Sequence, residues 1–354
     1  MTLETGLDSS VPTSSHQKGT GALRESHENG VALPRLRLGV VIPCFNAAPF
    51  LPESLGSVLR QEVPPDEVLV VDDCSTDASL EIARRFGVRV LQLPENSGPA
   101  TARNRGVEAL SSCDLIAFLD GDDLWAPDHL ALMFSCFDDP SVGAAFGRIG
   151  RVGDHASLRS REHPLAPRWV FSELLSGNFI PQSSTVVRRN LLRKVGGYRD
   201  GARFAEDYDV LLRMSILSMF VEVPCATAYR RTHDGQASRH TARLYSEALL
   251  ARTRGIEFAE SMGMQVDQGL KDDSLQHFLD DALETARFRA DGRLRDAVLR
   301  SVAPTSCHWQ SVTHWRRRHL PFWPYYRLKA LARQLFRPRR QASVREGAGS
   351  SVRS

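Results

Sequence analysis

The chain has 354 residues, of which 42% are hydrophobic and 25% are charged, a composition typical of a folded globular protein and not of a disordered or fibrous one. Its longest stretch without a charged side chain runs from Leu38 to Pro52 and contains three prolines, so no membrane-spanning helix is expected. The opening residues lack the layout of a secretory signal, and the six cysteines show no C-x-x-C spacing. These features argue against a zinc ribbon and a disulfide scaffold, and they predict a cytoplasmic location with reduced thiols.

The net charge of +3 conceals two oppositely charged parts. Residues 300–354 contain twelve Lys and Arg and one acid, a charge of +11, whereas the rest of the chain has 33 bases and 41 acids, a charge of −8. The tail also interleaves tryptophans and tyrosines with arginines. This pattern predicts that residues 301–354 bind an anionic membrane surface, which would hold the protein at the inner face of the plasma membrane. Nucleic acid is not an expected partner, because the body is acidic and carries no nucleic-acid motif.

Apolar runs and helix signals alternate after a polar leader, residues 1–35, that is expected to be disordered. Four short apolar runs predict buried strands, which are LRLGVVIP (ended by Pro43), EVLVVDD, VRVLQLP and DLIAFLD. Three segments lie between them. STDASLEIARRFG predicts a helix, and CFNAAPFLPESLGSVLRQ and residues 98–110 each predict a loop that runs into a helix. This alternation predicts an α/β fold with a doubly wound, mostly parallel sheet.

Polar residues follow each of the four predicted strands. Parallel sheets bind ligands beyond the carboxyl ends of their strands, so these residues should meet at one edge of the sheet. They are residues 43–46, Asp72 and Asp73, Asn96 and Ser97, and the acids Asp120, Asp122 and Asp123. Their convergence is the strongest indication of a functional site that the residues give by themselves.

The LDGDD segment places three carboxylates within four residues directly after a strand. Such acids repel one another unless a cation or a basic ligand compensates, and acids at a strand end can chelate Mg²⁺ or Mn²⁺. The alternative is a solvated turn in which Asp123 caps the next helix. VVDDCSTD leaves a similar choice, because a carboxylate there can contact a nucleobase or ribose, while Ser75, Thr76 and Asp77 can equally be helix caps.

Three further segments carry candidate ligand-binding residues. NSGPATARNRG has small residues that let its backbone approach a ligand, and Arg103 and Arg105 are available for phosphate, although the Walker A and dinucleotide-binding patterns are absent. FAEDYD places Glu206, Asp207 and Asp209 before an apolar helix, either as acids favoured by the helix dipole or as a general base. His233 is a candidate metal ligand or phosphate contact, or an ordinary loop histidine.

Eight segments, taken together and in order, resemble the motifs of the inverting family 2 glycosyltransferases: VVIPCFN, VVDDCSTD, NSGPATARNRG, LDGDD, GNFIPQSSTVVRR, VGGYRD, AEDYD and YRRTH. The resemblance implies an A-type glycosyltransferase fold, a Rossmann-like sheet flanked by helices, for a catalytic domain over residues 36–240. It also implies that a sugar passes from a UDP- or GDP-type nucleotide diphosphate sugar to an acceptor hydroxyl. The transfer would be one in-line displacement that inverts the anomeric carbon.

The resemblance implies a role for individual residues. Asp120 and Asp122 would be the D-x-D pair that holds a divalent metal, Mn²⁺ or Mg²⁺, and His233 is a candidate further ligand. Asp207 would be the catalytic base, and Glu206 would help to orient the acceptor. Pro43, Phe45 and Asn46 would line the nucleoside pocket, and Asp73 would contact the base. With the features above, the predicted nucleotide-sugar site comprises Pro43, Phe45, Asn46, Asp73, Asn96, Arg103 and Asp120.

The remaining segments bear on the acceptor and on domain organisation. Gln182, Ser183 and Ser184 precede the predicted base, and they are candidates to hydrogen-bond a saccharide or lipid-linked acceptor. Residues 241–300 contain two or three helical stretches, which predict a C-terminal helical annex with a structural role, packed on the catalytic domain or supporting an oligomer.

The predicted function is metal-dependent glycosyl transfer in cell-surface polysaccharide or glycolipid synthesis. A sugar-nucleotide nucleotidyltransferase would use a similar sheet, but it would ordinarily carry a glycine-rich segment with Lys or Arg where residues 43–46 stand. A glycoside hydrolase would use two carboxylates and have no need of a nucleotide site. A non-catalytic sugar-nucleotide binding protein is a third alternative, against which the presence of Asp122 and Asp207 argues.

Overall fold

Strands and helices alternate along the part of the chain that the computed structural model describes, which is residues 35–153, 163–233, 236, 240–289, 291–294 and 296. The strands are β1 (Leu38–Cys44), β2 (Glu67–Asp72), β3 (Arg89–Gln92), β4 (Leu115–Phe118), β5 (Leu124–Trp125), β6 (Val142–Arg151), β7 (Thr185–Arg188) and β8 (Met219–Arg230). The helices are α1 (Leu51–Leu59), α2 (Ser79–Arg85), α3 (Pro99–Ala109), α4 (His129–Ser135), α5 (Phe171–Ser176), α6 (Arg189–Lys194), α7 (Glu206–Ser215), α8 (Thr241–Ser261) and α9 (Gln268–Arg289).

The strands form one mixed sheet in the order β3-β2-β1-β4-β7-β6-β8-β5. The four strands predicted from the sequence, β1 to β4, are mutually parallel. Strand β7 runs antiparallel to both β4 and β6, while β6 and β8 pair in parallel. The predicted parallel half is therefore confirmed, and the second half of the sheet adds antiparallel pairings that the sequence analysis did not anticipate.

Strand β1 does not end at Pro43, as the sequence suggested, but continues to Cys44, with Pro43 paired to Val71. The carbonyl of Val41 accepts a hydrogen bond from the N–H of Leu119, so the backbone N–H and C=O of Val41 point toward β4. The backbone nitrogen of Pro43, two residues later, points in the same direction. Pairing with β4 ends at Val41. The missing N–H of Pro43 therefore removes no hydrogen bond from the ladder, which is the condition under which a strand tolerates proline.

Both faces of the parallel half are covered. Val40 and Val41 are completely buried although they point to opposite faces, as neighbouring residues of a strand must. On one face, α3 lies so close to the sheet that a Cβ on Gly106 would come within 2.5 Å of a Val41 methyl group. Because α3 lies this close to the sheet, its other side chains lie close to the ends of the strands.

The predicted helical annex is present as α8 and α9, which pack against α5 and α7. The buried Arg252 guanidinium of α8 donates to the carbonyl of Leu175 in α5 and to the hydroxyl of Ser274 in α9, so it links three helices. The boundary placed at residue 240 stays a prediction. The membrane-binding tail, residues 301–354, and all of the leader except Arg35 lie outside the described residues. Within the described part, none of the helices combines the length and the apolar character needed to cross a bilayer.

Replacing Gly106 with alanine should destabilise the fold by about 1 to 2 kcal/mol, because overpacking against Val41 outweighs the gain in helix propensity. The matched control is Gly292→Ala, since a Cβ at Gly292 meets no atom within 4 Å. Chemical denaturation of both variants measures the difference. A Gly106→Ala variant as stable as the native chain would contradict this packing.

Candidate active site

A cavity of about 740 Å³ lies beyond the carboxyl ends of β1, β2 and β4. Its size is within the range of roughly 300–1,000 Å³ that is common for small-molecule sites. Eleven of the predicted site residues line it, which are Pro43, Phe45, Asn46, Asp73, Arg103, Asp120, Asp122, Gln182, Glu206, Asp207 and His233. The other three, Asn96, Ser183 and Ser184, are not part of its lining as the described residues form it.

The loop after β1 forms the predicted nucleoside end of the cavity. Phe45 exposes 49% of its surface there, so its ring face is available for stacking. Asn46 has a left-handed backbone with φ 50°, and its side-chain oxygen accepts a hydrogen bond from Thr76 N at 2.8 Å. Ser75 and Asp77 accept hydrogen bonds from the backbone of the same loop. The segment considered as a helix cap therefore also holds this loop, and Asp77 in addition accepts from the first residue of α2.

Asp73 is buried and organises the loop that leads into α3. Its two carboxylate oxygens accept hydrogen bonds from Ser97 N at 2.7 Å and Gly98 N at 2.8 Å. Each oxygen keeps a further lone pair, so contact with a nucleobase stays a prediction. Asn96 is placed differently from the prediction, because its amide donates to the backbone carbonyl of Asp73 at 3.4 Å. This hydrogen bond supports a role for Asn96 in positioning the loop and not in direct contact with the nucleotide sugar.

The three acids of the LDGDD segment have different surroundings. Asp123 is 2% exposed and accepts a hydrogen bond from Ser183 Oγ at 2.7 Å, so it is not the solvated cap that the sequence left open. Burial, followed by the charges of Asp120 and Asp122, raises its pKa to about 7. The carboxylate of Asp122 lies 2.8 Å from Nε2 of His233, so the fold brings these two predicted metal ligands together across 111 residues of sequence.

Arg103 connects the two acidic parts of the cavity. The residue is 3% exposed, and the two terminal nitrogens of its guanidinium each lie 2.7 Å from a carboxylate, one of Asp120 and one of Glu206. Burial alone would lower the pKa of this guanidinium, but the charges of Asp120 and Glu206 raise it, so it stays protonated. Phosphate binding by Arg103 stays a prediction, and both terminal nitrogens are already engaged in ion pairs.

Glu206 and Asp207 are the first two residues of α7, after Ala205, which has a left-handed backbone with φ 53°. Asp207 accepts hydrogen bonds from the backbone N–H of Tyr208 and from the side-chain amide of Asn178, the latter at 3.2 Å. Burial and the charge of Glu206 raise the pKa of Asp207 from 3.8 to about 6, against the opposing charge of Arg103. A carboxyl group with this pKa is ionised at neutral pH and is a stronger base than an ordinary aspartate.

The third acid of this segment, Asp209, has a structural role. It is buried, and its carboxylate pairs with Arg199 and with Arg213 of the same helix. The residue pattern could not separate Asp209 from Asp207, because both lie in the first turn of α7, and only the family resemblance pointed to Asp207.

Some residues of the site were not predicted. Asn178, which binds Asp207, is one polar residue in a loop, and no spacing distinguishes it. Arg231 donates to the carbonyl of Asp122 and to the carboxylate of Asp123, and its guanidinium lies 5.3 Å from the centre of the Phe50 ring. The same ring packs on His233 with centroids 4.6 Å apart. Because Arg231 lies only two residues before His233, the sequence could have indicated that Arg231 belongs to the site.

Two of the three predicted acceptor residues do not fit that role. Ser183 and Ser184 are fully buried, and their hydroxyls donate to Asp123 and to the carbonyl of Gly147. They therefore support the acidic loop and strand β6 from behind the cavity. Gln182 does line the cavity, and its amide nitrogen donates to the Tyr198 hydroxyl at 3.0 Å. Its side-chain oxygen is buried without a hydrogen-bond partner among the described residues.

Replacing Arg103 with lysine should lower stability by about 2 to 4 kcal/mol, because one ammonium group cannot reproduce two guanidinium contacts and leaves a buried carboxylate unpaired. The matched control is Arg105→Lys on the same helix, whose exposed pair with Glu108 contributes little. Urea denaturation of both variants tests this difference, and equal losses would contradict the bridging role.

Comparison with known proteins gives the family. The family model for Glycosyl transferase family 2 matches residues 39–196. The chain is 32% identical over 240 residues to an uncharacterized protein of Mycobacterium tuberculosis, across 62% of this chain and 72% of that protein. It is 27% identical over 337 residues to the succinoglycan biosynthesis protein ExoW of Rhizobium meliloti, across 88% of this chain and 97% of ExoW.

Solved structures share the fold at low sequence identity. Residues 1–349 of S. aureus TarS, in complex with UDP-GlcNAc, superpose with a TM-score of 0.59 at 20% identity, across 84% of this chain and 88% of that one. The mannosyltransferase PcManGT from Pyrobaculum calidifontis, in complex with GDP-Man and Mn²⁺, gives a TM-score of 0.54 at 21% identity, across 85% of each chain. The chain has the A-type glycosyltransferase fold, belongs to glycosyl transferase family 2 and is a glycosyltransferase.

Proposed function

We propose that the chain transfers a sugar, with inversion and with the help of a divalent metal, from a UDP- or GDP-type nucleotide sugar to a hydroxyl of a saccharide or lipid-linked acceptor. One observation carries the proposal. A single cavity contains two separate acidic sites, Asp120 to Asp123 and Glu206 to Asp207, joined by the buried Arg103. Inverting transfer needs one site to neutralise a departing diphosphate and another to activate the incoming hydroxyl.

The donor set of the first site suits Mg²⁺ or Mn²⁺. Asp120 and Asp122 supply carboxylates to the cavity, and His233 adds a ring nitrogen beside Asp122. Within the described residues, no three His, Cys, Asp or Glu side chains are grouped closely enough to hold a metal ion alone. Such a partial set is typical of Mg²⁺ sites that one or two carboxylates share with substrate phosphates. The metal would supply positive charge to the departing nucleoside diphosphate.

Asp207 is the base in this proposal. The acceptor oxygen forms the new bond to the anomeric carbon while its proton passes to the Asp207 carboxylate. The bond from the anomeric carbon to the diphosphate oxygen breaks, and its electron pair leaves with the nucleoside diphosphate. Asn178 holds one oxygen of the base, and Glu206, fixed by Arg103, helps to orient the acceptor.

The biological setting is proposed from relatives. ExoW, which is named for succinoglycan biosynthesis, aligns over nearly its whole length. TarS and PcManGT have been solved with UDP-GlcNAc and with GDP-Man and Mn²⁺, so both nucleotide types occur among proteins of this fold. These relatives support a role in cell-surface polysaccharide or glycolipid synthesis. The location proposed at the inner face of the plasma membrane rests instead on the basic, aromatic composition of residues 301–354.

The donor site predicts metal-dependent nucleotide binding. In a thermal-shift screen of UDP, GDP, CDP and dTDP, one nucleotide should raise the Tm with Mn²⁺ or Mg²⁺ and not in EDTA, because a ligand of the native state stabilises it by mass action. Asp122→Asn should abolish most of the shift, whereas Asp138→Asn, an exposed acid outside the cavity, should keep it. No shift with any nucleotide and metal would contradict the donor site.

The base predicts a pH dependence. Since the pKa of Asp207 is raised to about 6, its carboxylate is protonated below that pH, and kcat/KM should fall about tenfold for each pH unit below 6. Asp207→Asn should lower turnover by about 10²- to 10⁴-fold and keep the metal-dependent nucleotide shift. Release of nucleoside diphosphate from the donor measures both effects. Substantial turnover by Asp207→Asn would assign the base elsewhere.

A further inference from the structure

The helical annex forms part of the cavity wall. Side chains of α8 and α9 line the same cavity as Asp207, and they are Leu244, Tyr245, Ala248, Phe278 and Asp281. We call these five residues the annex wall. Because they belong to the cavity of the proposed base and come from elements outside the nucleotide-binding half of the sheet, they adjoin the space that an acceptor must enter.

The annex wall is fixed to the elements that carry the base. Arg252 ties α8 to the end of α5, and the loop after α5 supplies Asn178, which binds Asp207. Leu212 of α7 packs closely on α8, where a Cβ on Gly255 would lie 3.1 Å from it. A ligand held by the annex wall is therefore held relative to the base.

The annex wall combines aromatic and apolar surface with one polar pair. Tyr245 donates its hydroxyl to the Asp281 carboxylate at 2.5 Å, and its ring meets that of Phe278 edge to face with centroids 5.7 Å apart. Asp281 is exposed, so its carboxylate can accept further hydrogen bonds. Sugar rings carry C–H groups on their faces and hydroxyls at their edges. The C–H groups suit the negative face of an aromatic ring, and the hydroxyls suit a carboxylate.

The negative charge of the annex wall limits the kinds of ligand that can bind there. Asp281 is the one charged residue of the annex wall, and Glu206 and Asp207 line the same cavity. A carboxylate or phosphate bound against the annex wall would meet the like charge of Asp281, which disfavours it, because the arginines that line the cavity, Arg103, Arg203 and Arg230, lie outside α8 and α9. An alkyl chain would gain from Leu244 and Phe278 but would remove Asp281 from water without a hydrogen bond in return.

We propose that the annex wall binds a neutral sugar ring of the acceptor and that Asp281 accepts hydrogen bonds from its hydroxyls. The proposal rests on the proposed function, because it assigns the acceptor subsite of the same reaction. It gives to α8 and α9 a substrate-binding role in addition to the packing role expected from the sequence, and it locates acceptor contacts that Ser183 and Ser184 cannot make.

The test is ligand-observed NMR on the full chain, with and without nucleoside diphosphate and Mn²⁺. The probes are the methyl glycosides of glucose, galactose, mannose and glucuronic acid, and an octyl alcohol. At least one neutral glycoside should bind, and at least tenfold more tightly than the glucuronide. Asp281→Asn should weaken neutral binding at least fivefold and reduce the discrimination against the glucuronide.

Two further variants complete the test. Asp280→Asn is the matched control, an equal charge change at an exposed neighbour outside the cavity, and it should bind as the native chain does. Ala248→Phe fills the annex wall and should block glycosides while nucleotide binding persists. Absence of binding by every neutral glycoside, equal binding by Asp281→Asn, or preference for the alcohol or the glucuronide would overturn the subsite. Any of these results alongside intact metal-dependent nucleotide binding would leave the proposed function in place, whereas loss of nucleotide binding would count against that function separately.

Discussion

The buried guanidinium of Arg103 is the interaction on which the site depends. It lies between Asp120 at the end of β4 and Glu206 at the start of α7, and it is the means by which carboxylates distant in sequence are held at one cavity. Its depth follows from the packing of α3, because Gly106, one turn further along the same helix, lets that helix touch Val41. Backbone packing and site electrostatics are therefore coupled through one helix.

Several acids at this sheet edge hold loops as well as facing the cavity. Asp73 binds the backbone at the start of α3, and Asp123 binds Ser183 and the backbone of Arg231. Burial, followed by the negative charges of Asp120 and Asp122, raises the pKa of Asp123, so negative charge accumulates at this edge of the sheet. The acids at this edge favour the binding of a cation, and their hydrogen bonds hold the loops in place when no cation is bound.

The two halves of the cavity have different physical characters. The nucleotide-binding half is built from strand ends and short loops, with many backbone hydrogen bonds and charged groups. The other half is built from helices α5, α7, α8 and α9, and it combines the aromatic and apolar surface of α8 and α9 with the carboxylates of Glu206, Asp207 and Asp281. Asp207 lies at the boundary, where burial raises its pKa while Arg103 opposes that rise. This boundary is where an acceptor hydroxyl would have to lose its proton.

The sequence alone determined the parallel half of the sheet, because strand and helix periodicities are local. It placed Asp73, Asp120 and Asp122 at one site, because the ends of parallel strands share an edge, and the family resemblance added Asp207 to that site. The residue pattern without that resemblance could not decide which acid of α7 faces the cavity, and the sequence could not show that Ser183 and Ser184 lie behind the cavity or that Arg103 bridges two carboxylates. Nor could it reveal the annex wall beside the base. These features depend on side-chain direction and on contacts between residues far apart in the chain, which only the tertiary packing fixes.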